Sequence, residues 1–171
     1  SDDEQVLEIA HSCGATPISR PVELATDTSP EWLAWQHAVE WVEENVGRFE
    51  CFVSLPPTSP LRSHTDIDNA VRQLRASGAD VCMAVTEARH NPWFNMVTRD
   101  ADDFINLVCS PHRRLARRQD APDVYDVTTV CYVTTPGFIR RASGVFDGIT
   151  TSVKVPKDRA VDIDDIYDFL L

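Results

Sequence analysis

No stretch of this chain approaches the roughly 18 uninterrupted apolar residues that a bilayer-spanning helix requires, so no contact with a membrane is expected. A secretory leader is equally unsupported, because Ser1-Asp2-Asp3-Glu4 is acidic where a leader is basic. The cysteines Cys13, Cys51, Cys82, Cys109 and Cys131 are odd in number, far apart and without a CxxC pair. That leaves zinc and a disulfide framework without support and makes a reducing cytoplasm the expected location. His11, His37, His64 and His90 form no HExxH-type group and read as structural, and no glycine-rich phosphate loop is present. Positive charge is scarce: 16 Lys and Arg face 27 Asp and Glu, for a net −11. A nucleic-acid backbone would be repelled by that balance, so nucleic acid is not an expected partner.

What is present suits one globular domain: 171 residues, 43% hydrophobic and 25% charged. The chain opens without Met, directly on a helix-start pattern, which points to a fragment or a trimmed protein. Ser1-x-x-Glu4 reads as a capping box, followed by the helical face Val6, Ile9, Ala10 and Cys13 and a stop at Gly14. Thr16-Pro17-Ile18 reads as a short strand, and residues 20–29 as a loop. Ser29-Pro30-Glu31 starts a helix with Ser as cap and Pro at its first position. Trp32, Trp35, Val39, Val42 and Val46 then keep to one stripe, the pattern of core residues rather than of a ligand platform.

Residues 49–55 are continuously apolar, as in a strand covered on both faces. The rigid Pro56-Pro57-Thr58-Ser59-Pro60-Leu61-Arg62 loop cannot continue a ladder. Thr65 or Asp66 is the expected cap of a helix carrying Ile67, Ala70, Val71 and Leu74 inward to Gly78, and residues 80–86 form the next strand. The α-β-α-β-α-β order implies an α/β fold, a mostly parallel sheet with helices on both faces. Residues 87–121 break the pattern and are too long for an ordinary connection, so a functional or oligomeric role is expected there. Strands over 128–133 and 150–155, a short helix over 136–142 and a last helix opened by Asp164 or Asp165 complete the reading.

Four places carry candidate chemistry. In extended geometry Asp162 and Asp164 point to one side, and Mg²⁺ needs only one or two carboxylates when phosphate oxygens fill its octahedron; the alternative is that Asp164 merely caps the last helix. Thr58, Ser59 and Arg62 lie in a loop leaving the carboxyl end of a strand, where α/β sheets bind ligands; the alternative is a stiff turn. The run His112-Arg113-Arg114-Leu115-Ala116-Arg117-Arg118 with Gln119 offers guanidinium forks for a carboxylate or phosphate, although charge runs are commonly solvated faces. Arg20 precedes Pro21 in the loop after the first expected strand, and alone it says little.

In order, Ser1-Asp2-Asp3-Glu4, Arg20-Pro21-Val22-Glu23-Leu24-Ala25-Thr26-Asp27-Thr28, Pro57-Thr58-Ser59-Pro60-Leu61-Arg62, Arg117-Arg118-Gln119-Asp120-Ala121-Pro122 and Val161-Asp162-Ile163-Asp164 run the length of the chain. Together they resemble the acylneuraminate cytidylyltransferases, the CMP-sialic acid synthetases. The resemblance implies a Rossmann-like nucleotidyltransferase fold, a homodimer, and transfer of CMP from CTP to the anomeric hydroxyl of an acidic sugar with release of pyrophosphate. It further implies that Asp162 and Asp164 hold Mg²⁺ or another divalent cation, that Arg118 meets the sugar carboxylate, and that Arg20 meets the nucleotide. Residues 88–121 would supply a dimerisation and sugar-site arm within a domain spanning 1–171.

Three departures qualify the match. The family's opening strand and Gly-Ser-Lys-type loop have no counterpart, so the chain is expected to lack the N-terminal phosphate-binding segment and to be inactive alone. Pro56 stands where relatives often carry Gln, and Thr128-Thr129 where Asn-Gly is common. Both changes lie on the sugar side and point to another nonulosonic acid or a Kdo-like octulosonic acid. Two other readings stay open: a glycosyltransferase using Asp162-x-Asp164 as its DxD motif, and a remnant that binds a sugar acid or dimerises without chemistry.

Overall fold

The computed structural model describes residues 1–110, 115 and 117–170. Its elements are α1 (Glu4–Ser12), α2 (Glu31–Asn45), β1 (Phe52–Ser54), α3 (His64–Ser77), β2 (Val81–Glu87), β3 (Val97–Arg99), β4 (Ile105–Leu107), β5 (Tyr125–Thr134), α4 (Pro136–Arg141), β6 (Thr150–Lys154) and α5 (Ile166–Leu170). The main sheet has the order β1-β5-β2-β6. β2 and β6 are parallel, while β5 is antiparallel to both β1 and β2. Three of the four strands therefore run one way and β5 is reversed, which brings the carboxyl ends of β1, β2 and β6 to one edge.

Alternation along β2 divides the core. Val81 and Met83 face a cluster with Trp32, Trp35, Val39, Phe138 and Ile139 from α2 and α4. Cys82 and Ala84 face the other side, with Ala70 and Leu74 of α3 and with Val130, Cys131 and Val133 of β5. The expected layering, helices on both faces, is the observed one. The tryptophans are core: Trp32 is also pinned by its Nε1–H donating to the Ala142 carbonyl at 2.8 Å, and it meets Phe138 edge to face. Phe52 and Val53 pack on opposite faces of the sheet, so β1 is covered on both sides as expected, although only three residues of the apolar run join the ladder.

Several local expectations need correction. Thr16-Pro17-Ile18 is not a strand; Pro17 has no N–H to give a ladder, and the segment's ties are the Ser1 amine to the Ile18 carbonyl (3.0 Å) and the Arg20 N–H to the Ser1 carbonyl (2.9 Å). Asp3, not Ser1, caps α1, because its carboxylate accepts from the N–H groups of both Gln5 and Val6. None of α1 is buried. Pro30 occupies the N-cap position of α2, leaving the Ser29 hydroxyl out of the cap. At α3 the box is Ser63 with Asp66, so the cap falls ahead of both Thr65 and Asp66, and Gly78 closes the helix in the left-handed region at φ 68°. The irregular stretch after β2 holds a small hairpin, β3 against β4, with Phe94, Met96, Val97, Phe104, Ile105 and Val108 all exposed.

β5 pairs irregularly with β2, the register shifting between Met83 and Val85. Val85 pairs with Val127 and Met83 with Tyr132, so β5 bulges over the intervening residues. Thr128 repairs part of the lost ladder: its hydroxyl donates to the Ala84 carbonyl at 3.2 Å. The bulge covers residues 128–131 and so includes Thr128-Thr129, whose hydroxyl at 129 reaches the loop that leaves β1.

Candidate active site

The carboxyl edge of the sheet carries two groups of candidate side chains. The first gathers around the 56–62 loop. Three prolines stiffen it, and Ser59 at its centre is fully buried. The Ser59 hydroxyl lies 2.6 Å from that of Thr129, and the Thr58 hydroxyl donates to the same oxygen at 3.4 Å. Arg62 turns back on the loop, its guanidinium donating to the Pro56 carbonyl and, at 3.5 Å, to the Thr129 carbonyl. Thr129 is thus the hub of this group. The sequence marks it only as a departure from a family pattern, since its role depends on the β5 bulge.

The 161–164 segment joins this group through its backbone: the Ile163 N–H donates to the Thr58 carbonyl at 2.9 Å. Asp162 Oδ1 and Arg62 Nε are both buried without a hydrogen-bond partner among the described residues. Burial pulls the Arg62 pKa down, and the charge of Asp162 acts in the opposite sense. Burial likewise pushes the Tyr132 phenol up, with Glu31 and then Asp162 adding to the effect. Asp162 therefore stands in the field of both groups. Asp164 is exposed. Of the two caps expected for the last helix it is Asp165 that serves: its carboxylate accepts from the Tyr167 and Asp168 N–H groups, at 2.7 and 3.1 Å. The Asp164 carboxylate accepts no hydrogen bond among the described residues.

Behind this group sits an ion pair whose carboxylate is buried and whose guanidinium is a third exposed. Asp66, 3% exposed, accepts from Arg159 through both oxygens at 2.9 Å, and its Oδ2 also takes the Ser63 N–H at 3.0 Å. The pairing with Arg159, more than the Ser63 contact, holds the Asp66 carboxyl below its ordinary pKa against the effect of burial.

The second group lines a cleft of about 510 Å³ at the ends of β2 and β6, among them Glu87, Asn91, Arg118, Gln119, Tyr125 and Lys154. Arg118 donates to the carbonyls of Arg89 at 2.6 Å and Ala88 at 3.3 Å. Lys154 pairs with Glu87 at 2.5 Å and lies 5.8 Å from the centre of the Tyr125 ring. Thr129 is four steps along β5 from Tyr125, about 13 Å at strand spacing. Of the arginine run, Arg117 is paired with Asp120 at 2.8 Å, while His112, Arg113, Arg114 and Ala116 lie outside the described residues.

The geometry therefore brings Thr58, Ser59, Arg62 and the Asp162 segment together, and puts Arg118 and Gln119 farther along the same edge. Arg20 belongs to neither group; Asp2 holds its guanidinium at 2.7 Å. Cys82 and Cys131 are buried thiols pushed up to about 12 and about 11, chiefly by burial, and are core side chains rather than nucleophiles.

No family profile matches the chain. It is 28% identical over 171 residues to "Post-translational flagellin modification protein B" of Campylobacter coli, covering 99% of this chain and 72% of that protein. It is 29% identical over 178 residues to "N-acylneuraminate cytidylyltransferase" of Escherichia coli O18:K1:H7 (strain RS218 / NMEC), covering the whole chain but 39% of that protein. Among solved structures, a 4-diphosphocytidyl-2C-methyl-D-erythritol synthase from Anaerococcus prevotii superposes with a TM-score of 0.61 at 10% identity, over 99% of this chain and 74% of the other. A CMP:2-keto-3-deoxy-manno-octonic acid synthetase complexed with CTP superposes with a TM-score of 0.57 at 11% identity, over 91% and 70%. The resemblance drawn from the five motifs is borne out by these relatives: along its length the chain is similar to an N-acylneuraminate cytidylyltransferase and a flagellin modification protein, and its fold is the Rossmann-like one of nucleotidyltransferases.

Proposed function

We propose that this chain forms the core of a cytidylyltransferase that makes a CMP-activated nonulosonic acid, or a related sugar acid, from CTP. The observation that carries the reading is the 2.9 Å bond from the Ile163 N–H to the Thr58 carbonyl. It ties an acidic segment to a hydroxyl-rich loop at the strand ends, where α/β sheets take nucleotides. Asp162 and Asp164 fit a hard divalent cation: one offers a buried oxygen without a partner, the other an uncommitted carboxylate. Such a cation, when bound, would neutralise phosphate charge as bond order shifts.

The chain's own groups do the positioning. Arg62 and the stiff 56–62 loop hold Thr58 and Ser59 in place through Thr129. Arg118 and Gln119 present donors in the second cleft, suited to the carboxylate of an acidic sugar. In the transfer, the anomeric oxygen bonds to the α-phosphorus of CTP, the bond to pyrophosphate breaks, and the hydroxyl proton is lost. The exposed apolar hairpin over β3 and β4 suits a dimer contact, with Phe104 and Ile105 outermost. Arg20 is assigned a nucleotide contact through the motif resemblance alone, and reaching a ligand would require it to leave Asp2.

Pyrophosphate release tests the reading. With the full-length protein, CTP, Mg²⁺ and a panel of sugar acids, release should require both an acidic sugar and the metal. Transfer of sugar from a ready-made CMP-sugar to an acceptor, without pyrophosphate, would favour the glycosyltransferase reading instead.

A further inference from the structure

The segment that carries Asp162 and Asp164 has no regular secondary structure of its own. After the Val155 N–H bonds to the Val85 carbonyl at 2.8 Å, its described backbone bonds are two local turns, Arg159 to Pro156 and Ala160 to Lys157, until Ile163 reaches Thr58. Between these ends Ala160 packs on the core cluster of α3 and β5, and the Asp66–Arg159 pair is the side-chain hydrogen-bonded tie to the rest of the fold among the described residues. The position of Asp66 is telling, because its Oδ2 accepts at once from the N–H of Ser63, the residue that follows Arg62, and from Arg159 Nε. One buried carboxylate thereby fixes the exit of the 56–62 loop and the approach to Asp162.

We infer, on the metal reading proposed above, that the Asp66–Arg159 pair positions the 161–164 segment against the 56–62 loop and so sets the protein's affinity for its divalent cation. Arg159 is the more telling partner, since Asp66 alone would suffice to cap α3. A planar guanidinium bonded through two nitrogens allows one orientation, whereas a lysine would leave rotation free. Neither residue touches substrate; both act through Asp162.

Three measurements on full-length Asp66→Asn and Arg159→Lys proteins test this. Amide exchange reports the position of the segment directly, and the Ile163 N–H should exchange faster in both variants while the α3 amides stay protected. Mn²⁺ binding in the presence of CTP, followed by electron paramagnetic resonance, should weaken by about tenfold, as when supporting groups of a metal site are lost. Turnover lost at low Mn²⁺ should recover as Mn²⁺ is raised, a split that general loss of fold would not give. Unchanged exchange at Ile163, or faster exchange with undiminished Mn²⁺ affinity, would overturn the inference. Should Asp66→Asn fail to fold, Arg159→Lys, which leaves the Asp66–Ser63 cap in place, decides alone. If the parent protein shows no Mn²⁺ binding that Asp164→Ala removes, the metal reading itself fails and takes this role with it, whereas the exchange result still reports the ion pair.

Discussion

The two groups on the sheet's carboxyl edge differ in how they are held. Around Thr129, Ser59 is fully buried, Asp66 is 3% exposed, and bonds cross from β5, the 56–62 loop and the 161–164 segment. Around Arg118 only Asn91 of the named side chains is buried, and the Lys154–Glu87 pair, 56% and 60% exposed, lies open to water and salt. The first group is preorganised and the second adaptable.

Removing a metal carboxylate should break the rigid group most severely. Asp164→Ala is expected to cut pyrophosphate release by at least about a hundredfold at ordinary Mg²⁺, the scale of several kcal/mol supplied by a bound cation. Activity within a few-fold of the parent would remove Asp164 from the site. In the open group the expected loss is smaller and of another kind. Arg118→Ala should raise KM for the sugar acid by about 10- to 100-fold, the worth of hydrogen bonds to a charged group, and leave KM for CTP nearly unchanged. Equal effects on both substrates would erase the division between the two groups.

Stability should show the same asymmetry. Asp66→Ala removes a helix cap and leaves Arg159 partly buried and unpaired; with Arg159 a third exposed, the cost in denaturant unfolding is expected to be about 2 kcal/mol. Because Asp66 titrates below its ordinary value of 3.8, its contribution is fully present above that value and is lost as pH falls through its folded pKa. Acid unfolding of Asp66→Asn should therefore be shallower than that of the parent below pH 3.8. Least affected should be the fold when Phe104, 70% exposed, becomes Asp: a change within about 0.5 kcal/mol, with sedimentation shifting from dimer to monomer. A large loss of stability in the monomer would mean that the hairpin packs on its own subunit.

Sequence pattern carried the layers and failed at the details that depend on neighbours. The tryptophan stripe as far as Val39, the 80–86 strand and the left-handed stop at Gly78 follow from periodicity and local conformational preference, which tertiary contacts here reinforce, whereas Val46 lies past the helix and is exposed. The reversal of β5 was not legible, because β-branched residues favour a strand and say nothing of its direction. The cap of α3 was misplaced since Ser63, Thr65 and Asp66 all suit an N-terminus, and only the claim of Arg159 on Asp66 selects among them. At the site, the Asp162-x-Asp164 spacing and the Pro-Thr-Ser-Pro loop stood out as motifs. The role of Thr129 did not, because it arises from a bulge that no local signal announces.

Anomalous diffraction from crystals of the full-length protein grown with Mn²⁺ and CTP tests the central claim most directly. The account predicts a manganese peak within coordination distance of the Asp162 and Asp164 carboxylates, beside the Thr58 loop, with the α-phosphate of CTP sharing the ion. A peak elsewhere, or CTP bound with the ion touching neither aspartate, would contradict it.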